Sequence, residues 1–305
     1  MDFAISGEVI PPVYLVAVGF VIGALGGFFG VGGSFLAGPA LFAAGVPMNY
    51  VVGTDMAHIT GKSIVAARHH RALGNVDIKL GLLMVIGTVI GVEVGAQAIE
   101  ALERRGNVEV PVGVSFTVIL LAVSALIAWE SWRTMRQRSA GRSPKHPARV
   151  DITSLSHVTR KVHAIRIPPM VSLPSSGIPS ISLWVILGVA FVGGVFAGFL
   201  GGGAGYVRMP MLVYLIGAPT HVAIGTDLFE IVISAGYGTF THALKGNVDI
   251  IIALVMHTGA AIGAQIGVQL TRHFSGPRIR LAFVPLPLIG AAVMIYKLLT
   301  GTEMG

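Results

Sequence analysis

The sequence predicts an all-α polytopic membrane protein made of two inverted repeats of about five helical segments each, with a short or broken helix after a Gly-rich turn in each repeat. Three observations lead there. The first is composition: 53% of the 305 residues are hydrophobic and only 11% charged, with a mean hydropathy of +0.79, whereas soluble domains carry about 25% charged residues. The apolar stretches are long and cut by Gly and Pro rather than strictly alternating, so they read as spanning helices and not barrel strands.

The second observation is a duplication. Gly27 to Asp55 contains G-F-F-G-V-G-G-S-F-L-A-G-P followed by G-V-P and G-T-D, and Gly198 to Asp227 contains G-F-L-G-G-G-A-G-Y-V-R-M-P followed by G-A-P and G-T-D. Downstream, Gly74-Asn75-Val76-Asp77 returns as Gly246-Asn247-Val248-Asp249, and His70, Gly87, Gly91, Gly95 and Gln97 return as His242, Gly259, Gly263, Gly267 and Gln269, all 172 positions on. The Gly/Pro part is offset by 171, which implies one inserted residue in the second copy. Residues 1–131 form the first repeat, 132–181 a basic connector and 182–305 the second repeat.

The third observation is the distribution of basic residues. An odd number of segments per repeat inserts the two copies with opposite orientation. With the connector inside, Arg68, Arg71 and Lys79, nine basic residues of the connector, and Arg272, Arg278 and Arg280 fall inside. Only Arg104, Arg105, Lys245 and Lys297 fall outside, as the positive-inside rule requires. Both termini are then expected outside and the connector in the cytoplasm, with Trp129, Trp132 and Trp184 at that interface.

In chain order, Met1 to Pro12 holds Asp2 and Glu8 and no basic residue, so a signal peptide is not expected. Pro12 to about Phe29 is the first span, ending in Gly30-Val31-Gly32-Gly33. Ser34 to Ala44 follows as a short helix, covering about half of the bilayer core at ~1.5 Å per residue, and Val46-Pro47 ends it. Asn49 to about Ala67 is the third helix, with His69 and His70 expected in an interfacial loop. Ile78 to about Leu102 and Val112 to about Trp129 complete the repeat. The second copy has Leu183–Leu200, a short helix near Tyr206–Ile216, His221–Thr241, Ile250 to about Leu270, and Leu281–Leu299. The connector is expected to be mostly disordered, its basic run serving orientation and anionic lipid rather than nucleic acid.

Paired breaks at matching places in two halves point to a midplane substrate site. Backbone amides at a helix start lack intrahelical partners, and the helix dipole makes that end partly positive, so such ends bind anions. Gly30, Gly32 and Gly33, with Gly201, Gly202, Gly203 and Gly205, allow that approach, and the half-helix starts at Ser34 and Tyr206 would face one another. Close helix packing is the alternative use of these glycines. Arg208, three residues into the second short helix, is an intramembrane cation that either contacts substrate or is neutralised by Asp227 or Glu230. Its counterpart in the first repeat is Ala37.

Asp55, His58 and Lys62 share one helix face, matched by Asp227, Glu230 and Ser234. The carboxylates, with His58, either carry protons or pair with Lys62 and Arg208. Thr54 and Thr226 either donate to an oxyanion or cap helices. Gly61-Lys62-Ser63 imitates the end of a P-loop, but the first glycine position holds Met56. Neither a metal nor another cofactor is expected, with no cysteine and no carboxylates at ligand spacing.

The two Gly-rich turns, each followed by a proline and then by Gly-x-Pro and Gly-Thr-Asp, give a chain that resembles the TauE/SafE family of membrane anion permeases, known as sulfite exporters. The resemblance spans both repeats and leaves out the connector. It implies export of sulfite, sulfonates or related small organic anions across the bacterial inner membrane. It also implies a binding role for Gly30 to Ser34, Thr54, Asp55, Gly201 to Gly205, Thr226 and Asp227. The first repeat departs from the glycine-dense form, with Val31 and Ser34 where the second has Gly202 and Gly205. A non-enzymatic carrier is the expected function. An anion channel and an intramembrane hydrolase using Ser34 and His58 are the alternatives.

Overall fold

A computed structural model describes residues 2–3, 8–106, 108–139, 157–201 and 205–301. A strand pair, β1 (Asp2–Phe3) and β2 (Glu8–Val9), precedes α1 (Pro12–Phe29), α2 (Ser34–Ala43), α3 (Met48–Ala72), α4 (Ile78–Glu103) and α5 (Glu109–Ser139). Helix α6 (His157–His163) and a hairpin of β3 (Met170–Leu173) and β4 (Ile178–Ser182) lead to α7 (Leu183–Leu200) and α8 (Gly205–Met211). A π-helical turn, Leu212–Ile216, continues α8. Then come α9 (Thr220–Leu244), α10 (Ile250–Thr271), α11 (Gly276–Phe283) and α12 (Pro285–Gly301).

Among the described residues, six helical stretches are long and apolar enough to cross a membrane: α1, α4, α5, α7, α10 and the α11–α12 pair. Their apolar side chains face outward. On α4, Leu82, Ile86, Ile90 and Val94 are exposed by 46 to 60%, one residue every helical turn. Asp55, His58 and Lys62 of α3 and Asp227, Glu230 and Ser234 of α9 are buried instead. This inside-out partition is what a hydrocarbon solvent selects, because an exposed Leu there costs nothing and an exposed carboxylate is expensive.

Packing is reciprocal between the repeats. Helix α1 runs parallel to α10 and α4 runs parallel to α7, each pair held at backbone contact by glycines. A Cβ placed on Gly91 of α4 would lie 2.7 Å from the Val195 amide nitrogen of α7, and one on Gly263 of α10 would lie 2.8 Å from that of Ala24 of α1. Both distances are inside van der Waals contact, so no larger residue fits without separating the helices. In the middle, α3 crosses α9 in the antiparallel sense, with Thr60 beside Thr239 and Gly53 beside His242.

Hydrogen bonds repeat the exchange. Thr54 Oγ1 accepts from the Asp249 amide at 2.9 Å and Thr226 Oγ1 from the Asp77 amide at 2.8 Å. Asp77 and Asp249 are the N-caps of α4 and α10. His70 Nε2 donates to the Gly27 carbonyl at 3.0 Å and His242 Nε2 to that of Gly198 at 3.1 Å. A carbonyl only accepts, so both rings carry their proton on Nε2. His70 is therefore a buried helical residue, not part of a loop as expected. Helix α3 continues through His69 to Ala72.

Two further expectations change. The last segment is broken between Phe283 and Pro285, where proline removes a donor from the ladder. Of the connector, residues 132–139 continue α5, and residues 157–181 are ordered by specific contacts rather than disordered. Thr159 Oγ1 and His163 Nε2 donate to the carbonyls of Tyr214 and Ile216, at 2.5 and 2.8 Å. These two carbonyls lie in the π-helical turn. Ser176 Oγ donates to Asp77 Oδ2 at 2.6 Å, and Lys79 Nζ to the Ser172 carbonyl at 2.9 Å. The remainder, 140–156, lies outside the described residues.

Candidate functional site

Both Gly-rich turns end a long helix and start a short one. Gly30, Gly32, Gly33 and Gly201 have φ between 68° and 81°, a left-handed backbone that L side chains resist. Each turn leans on the middle helix of the other repeat: Gly30 on Ile224 of α9, Gly201 on Val52 of α3. The two turns also meet. A Cβ on Gly205 would fall 2.6 Å from the Val31 carbonyl carbon and 2.7 Å from Asp227 Oδ2, so only glycine admits this approach. Gly202 and Gly203, and the side chain of Ser34, lie outside the described residues.

The polar stripes of α3 and α9 flank this meeting point, and the two differ. On α9 the charges are paired. Arg208 of α8 is fully buried; its Nε donates to Asp227 Oδ1, and its Nη2 lies 2.5 Å from Glu230 Oε2. Ser234 Oγ donates to Glu230 at 3.2 Å. Of the two roles open to Arg208 in the sequence, internal neutralisation is the one its contacts display.

On α3 the corresponding groups are not paired. Asp55 and His58 approach to 3.5 Å, beyond a good hydrogen bond. Among the described residues, both Asp55 oxygens, both His58 ring nitrogens, Lys62 Nζ, Ser63 Oγ and Tyr206 OH lack a hydrogen-bond partner, and Lys62 has no carboxylate in ion-pair reach. All are buried, Lys62 to 2% exposure. Buried polar groups are normally satisfied; seven atoms here are not, while on the α9 side Arg208 Nη1, Asp227 Oδ2 and Glu230 Oε1 also lack a hydrogen-bond partner beside the ion pairs. Lys62 Nζ reaches the first turn: a Cβ on Gly33 would lie 2.9 Å from it. Gly33 is the N-cap of α2, which has no side-chain cap. His257 of α10 rests on Gly61, 2.6 Å from a Cβ placed there.

Gly30, Gly32, Gly33, Gly201 and Gly205, with Asp55, His58, Arg208, Asp227 and Glu230, are thus brought together around the crossing of α3 and α9. Thr54 and Thr226 lie in helix interiors, not at helix starts, and their hydroxyls hold the first turns of α10 and α4. Sequence reading underrated Lys62, though its place on the α3 stripe was visible. The sequence marks Tyr206 only as a half-helix start, not for its hydroxyl, and nothing in it ties His257 to Gly61.

The sequence pattern of the family described as "Sulfite exporter TauE/SafE" matches residues 15–294. The chain is 25% identical over 294 residues to the probable membrane transporter protein YunE of Bacillus subtilis (strain 168), covering 93% of this chain and 97% of that one. It is 30% identical over 115 residues to the probable membrane transporter protein YdhB of the same organism, covering 37% of this chain and 46% of that one. It is also 36% identical over 107 residues to a probable membrane transporter protein of Xylella fastidiosa (strain Temecula1 / ATCC 700964), covering 33% and 40%. No solved structure matches. With the family pattern spanning both repeats of a multi-pass helical membrane protein, the chain belongs to the sulfite exporter TauE/SafE family of membrane transporters.

Proposed function

We propose that the protein is a secondary transporter that moves a small anion, sulfite or a related sulfonate or organic anion, out across the bacterial inner membrane. It works by alternating access at a midplane site between two inverted repeats. The observation that carries this reading is the contact of the two Gly-rich turns, Gly205 against Val31, beside the only slightly exposed stripes of α3 and α9. Antiparallel crossing of these equivalent helices supports inversion, since copies related by an axis in the membrane plane run in opposite senses. Burial of Asp55, His58, Lys62, Arg208, Asp227 and Glu230 to 2% exposure or less favours a carrier over an open channel, whose lining would be wet throughout.

An inside-negative potential favours anion exit by about 2.3 kcal/mol per charge per 100 mV, so export needs no coupling ion. Where transport is coupled, Asp55, His58, Asp227 and Glu230 are the groups to carry the proton. The core already holds three carboxylates against Lys62 and Arg208, and an incoming anion adds to the negative side. The test is uptake of labelled sulfite into proteoliposomes preloaded with unlabelled sulfite, with sulfate, sulfoacetate and acetate as competitors. Saturable exchange is expected; flux that neither saturates nor shows counterflow would rule out a carrier.

A further inference from the structure

We propose that Lys62, and not Arg208, supplies the positive charge that binds the anion, in a one-sided site where its ammonium, the N-terminus of α2 at Gly33 and the Tyr206 hydroxyl take a small oxyanion. The proposal rests on the transporter reading and deepens it by naming the binding group.

Three independent observations converge. Lys62 is 2% exposed, and its Nζ has no acceptor among the described residues. A buried ammonium without a partner is among the most costly arrangements a fold can keep, and it is kept where a ligand completes it. Second, Nζ is aimed at the start of a ten-residue helix, where the amides and dipole already favour negative charge. Third, Tyr206 follows Gly205, which packs on Val31 of the first turn, and it is fully buried with a hydroxyl that lacks a partner among the described residues.

The second repeat offers no equivalent. Ser234 stands at the position of Lys62, α8 has seven residues, and the one cation there is held by two carboxylates. An anion approaching Arg208 would compete with charges already in contact. An anion approaching Lys62 displaces nothing. Recognition therefore comes from the first repeat, while the second contributes Tyr206 across the meeting of the turns. One ammonium, with the Asp55 carboxylate already in its electrostatic reach, suits a singly charged oxyanion better than a dianion.

The experiment measures anion binding by thermal shift on the full-length protein in lipid nanodiscs, titrating sulfite, methanesulfonate, acetate, sulfate and chloride. Wild type is expected to be stabilised by methanesulfonate, acetate and the hydrogen sulfite form of sulfite, the singly charged oxyanions, so sulfite is titrated on the acid side of neutrality. Lys62→Gln is expected to raise the apparent Kd at least about tenfold, the usual consequence of removing a charged hydrogen-bond donor, and Lys62→Arg to keep measurable binding. Tyr206→Phe preserves the ring contact with Phe116, at 6.0 Å between centroids, and should also weaken binding about tenfold. It serves as the second arm if Lys62→Gln does not give monodisperse protein.

Unchanged affinity in folded Lys62→Gln, or in Tyr206→Phe, overturns the site. If wild type exchanges sulfite in vesicles while folded Lys62→Gln keeps its KM, this site falls and the transporter reading stands. If another anion binds in a Lys62-dependent way and sulfite does not, the site stands and sulfite falls. If no anion stabilises the wild type, both fall.

Discussion

Replacing Arg208 with methionine tests whether its charge serves the fold or the substrate. The guanidinium is wholly buried, with one donor on Asp227 and another 2.5 Å from Glu230. Removing it strands two carboxylates in a low-dielectric core. Breaking a buried ion pair from one side costs about 3–5 kcal/mol, a factor of roughly 10² to 10³ or more in the folding equilibrium at ~1.4 kcal/mol per tenfold. We predict a marked fall in the unfolding temperature of detergent-purified protein, followed by tryptophan fluorescence. The triple variant Arg208→Met/Asp227→Asn/Glu230→Gln should recover most of the loss, because no charge is then left unpaired. Wild-type stability in Arg208→Met, with weakened sulfite exchange, would refute this: the guanidinium would then be free for substrate and the internal pairing of no consequence.

Other substitutions probe the scaffold. Thr54→Ala and Thr226→Ala should each cost about 1–3 kcal/mol by leaving the buried Asp249 or Asp77 amide without its acceptor, with sulfite affinity unchanged in whatever protein folds. A loss of affinity at constant stability would return these hydroxyls to the substrate. Gly263→Leu should be more disruptive than Gly188→Leu, since the first collides with the α1 backbone and the second, in helical backbone, meets nothing within 4 Å; equal yields of monodisperse protein would contradict the reciprocal packing. Ser176→Ala, which removes the tie from the connector to Asp77, should speed proteolysis within residues 170–182, and unchanged cleavage would show that the hairpin is held by other contacts.

The fold was legible because its two strongest signals are properties of the chain itself. Duplication of Gly30 at an offset of 171 and of Thr54, Asp77 and Gly91 at 172 placed the elements of one repeat by reference to the other, and the apolar runs of α1, α4, α7 and α10 match their expected limits to within a residue or two. What escaped was decided by partners distant in sequence. His70 looks like part of a basic loop until the Gly27 carbonyl is seen to accept from it. The connector reads as polar and featureless, yet Ser176 and His163 find acceptors on Asp77 and Ile216. Thr54 is seven residues into α3 and resembles a cap only by composition; the start it secures belongs to α10.

The candidate site divides along the same line. Symmetry predicted a matched pair of Gly-rich turns, and the backbone forms both. Side-chain chemistry is not matched, because Lys62 faces Ser234 and Ala37 faces Arg208 across the repeat relation. One cation is therefore placed on each half by a different helix: Lys62 on α3, seven residues beyond Asp55, and Arg208 on α8, facing Asp227 and Glu230. Seven residues are two turns, about 10.5 Å along the axis, too far for a straight ion pair, whereas α8 delivers Arg208 directly onto its carboxylates. In the transport cycle proposed above, the matched packing would let the repeats exchange equivalent contacts, and the unmatched charges would decide which half holds the ligand. A carrier of this kind needs the repeats to be alike in packing and unlike in polarity, and the positions where they differ, Lys62 and Arg208 foremost, are where substrate selectivity is to be sought.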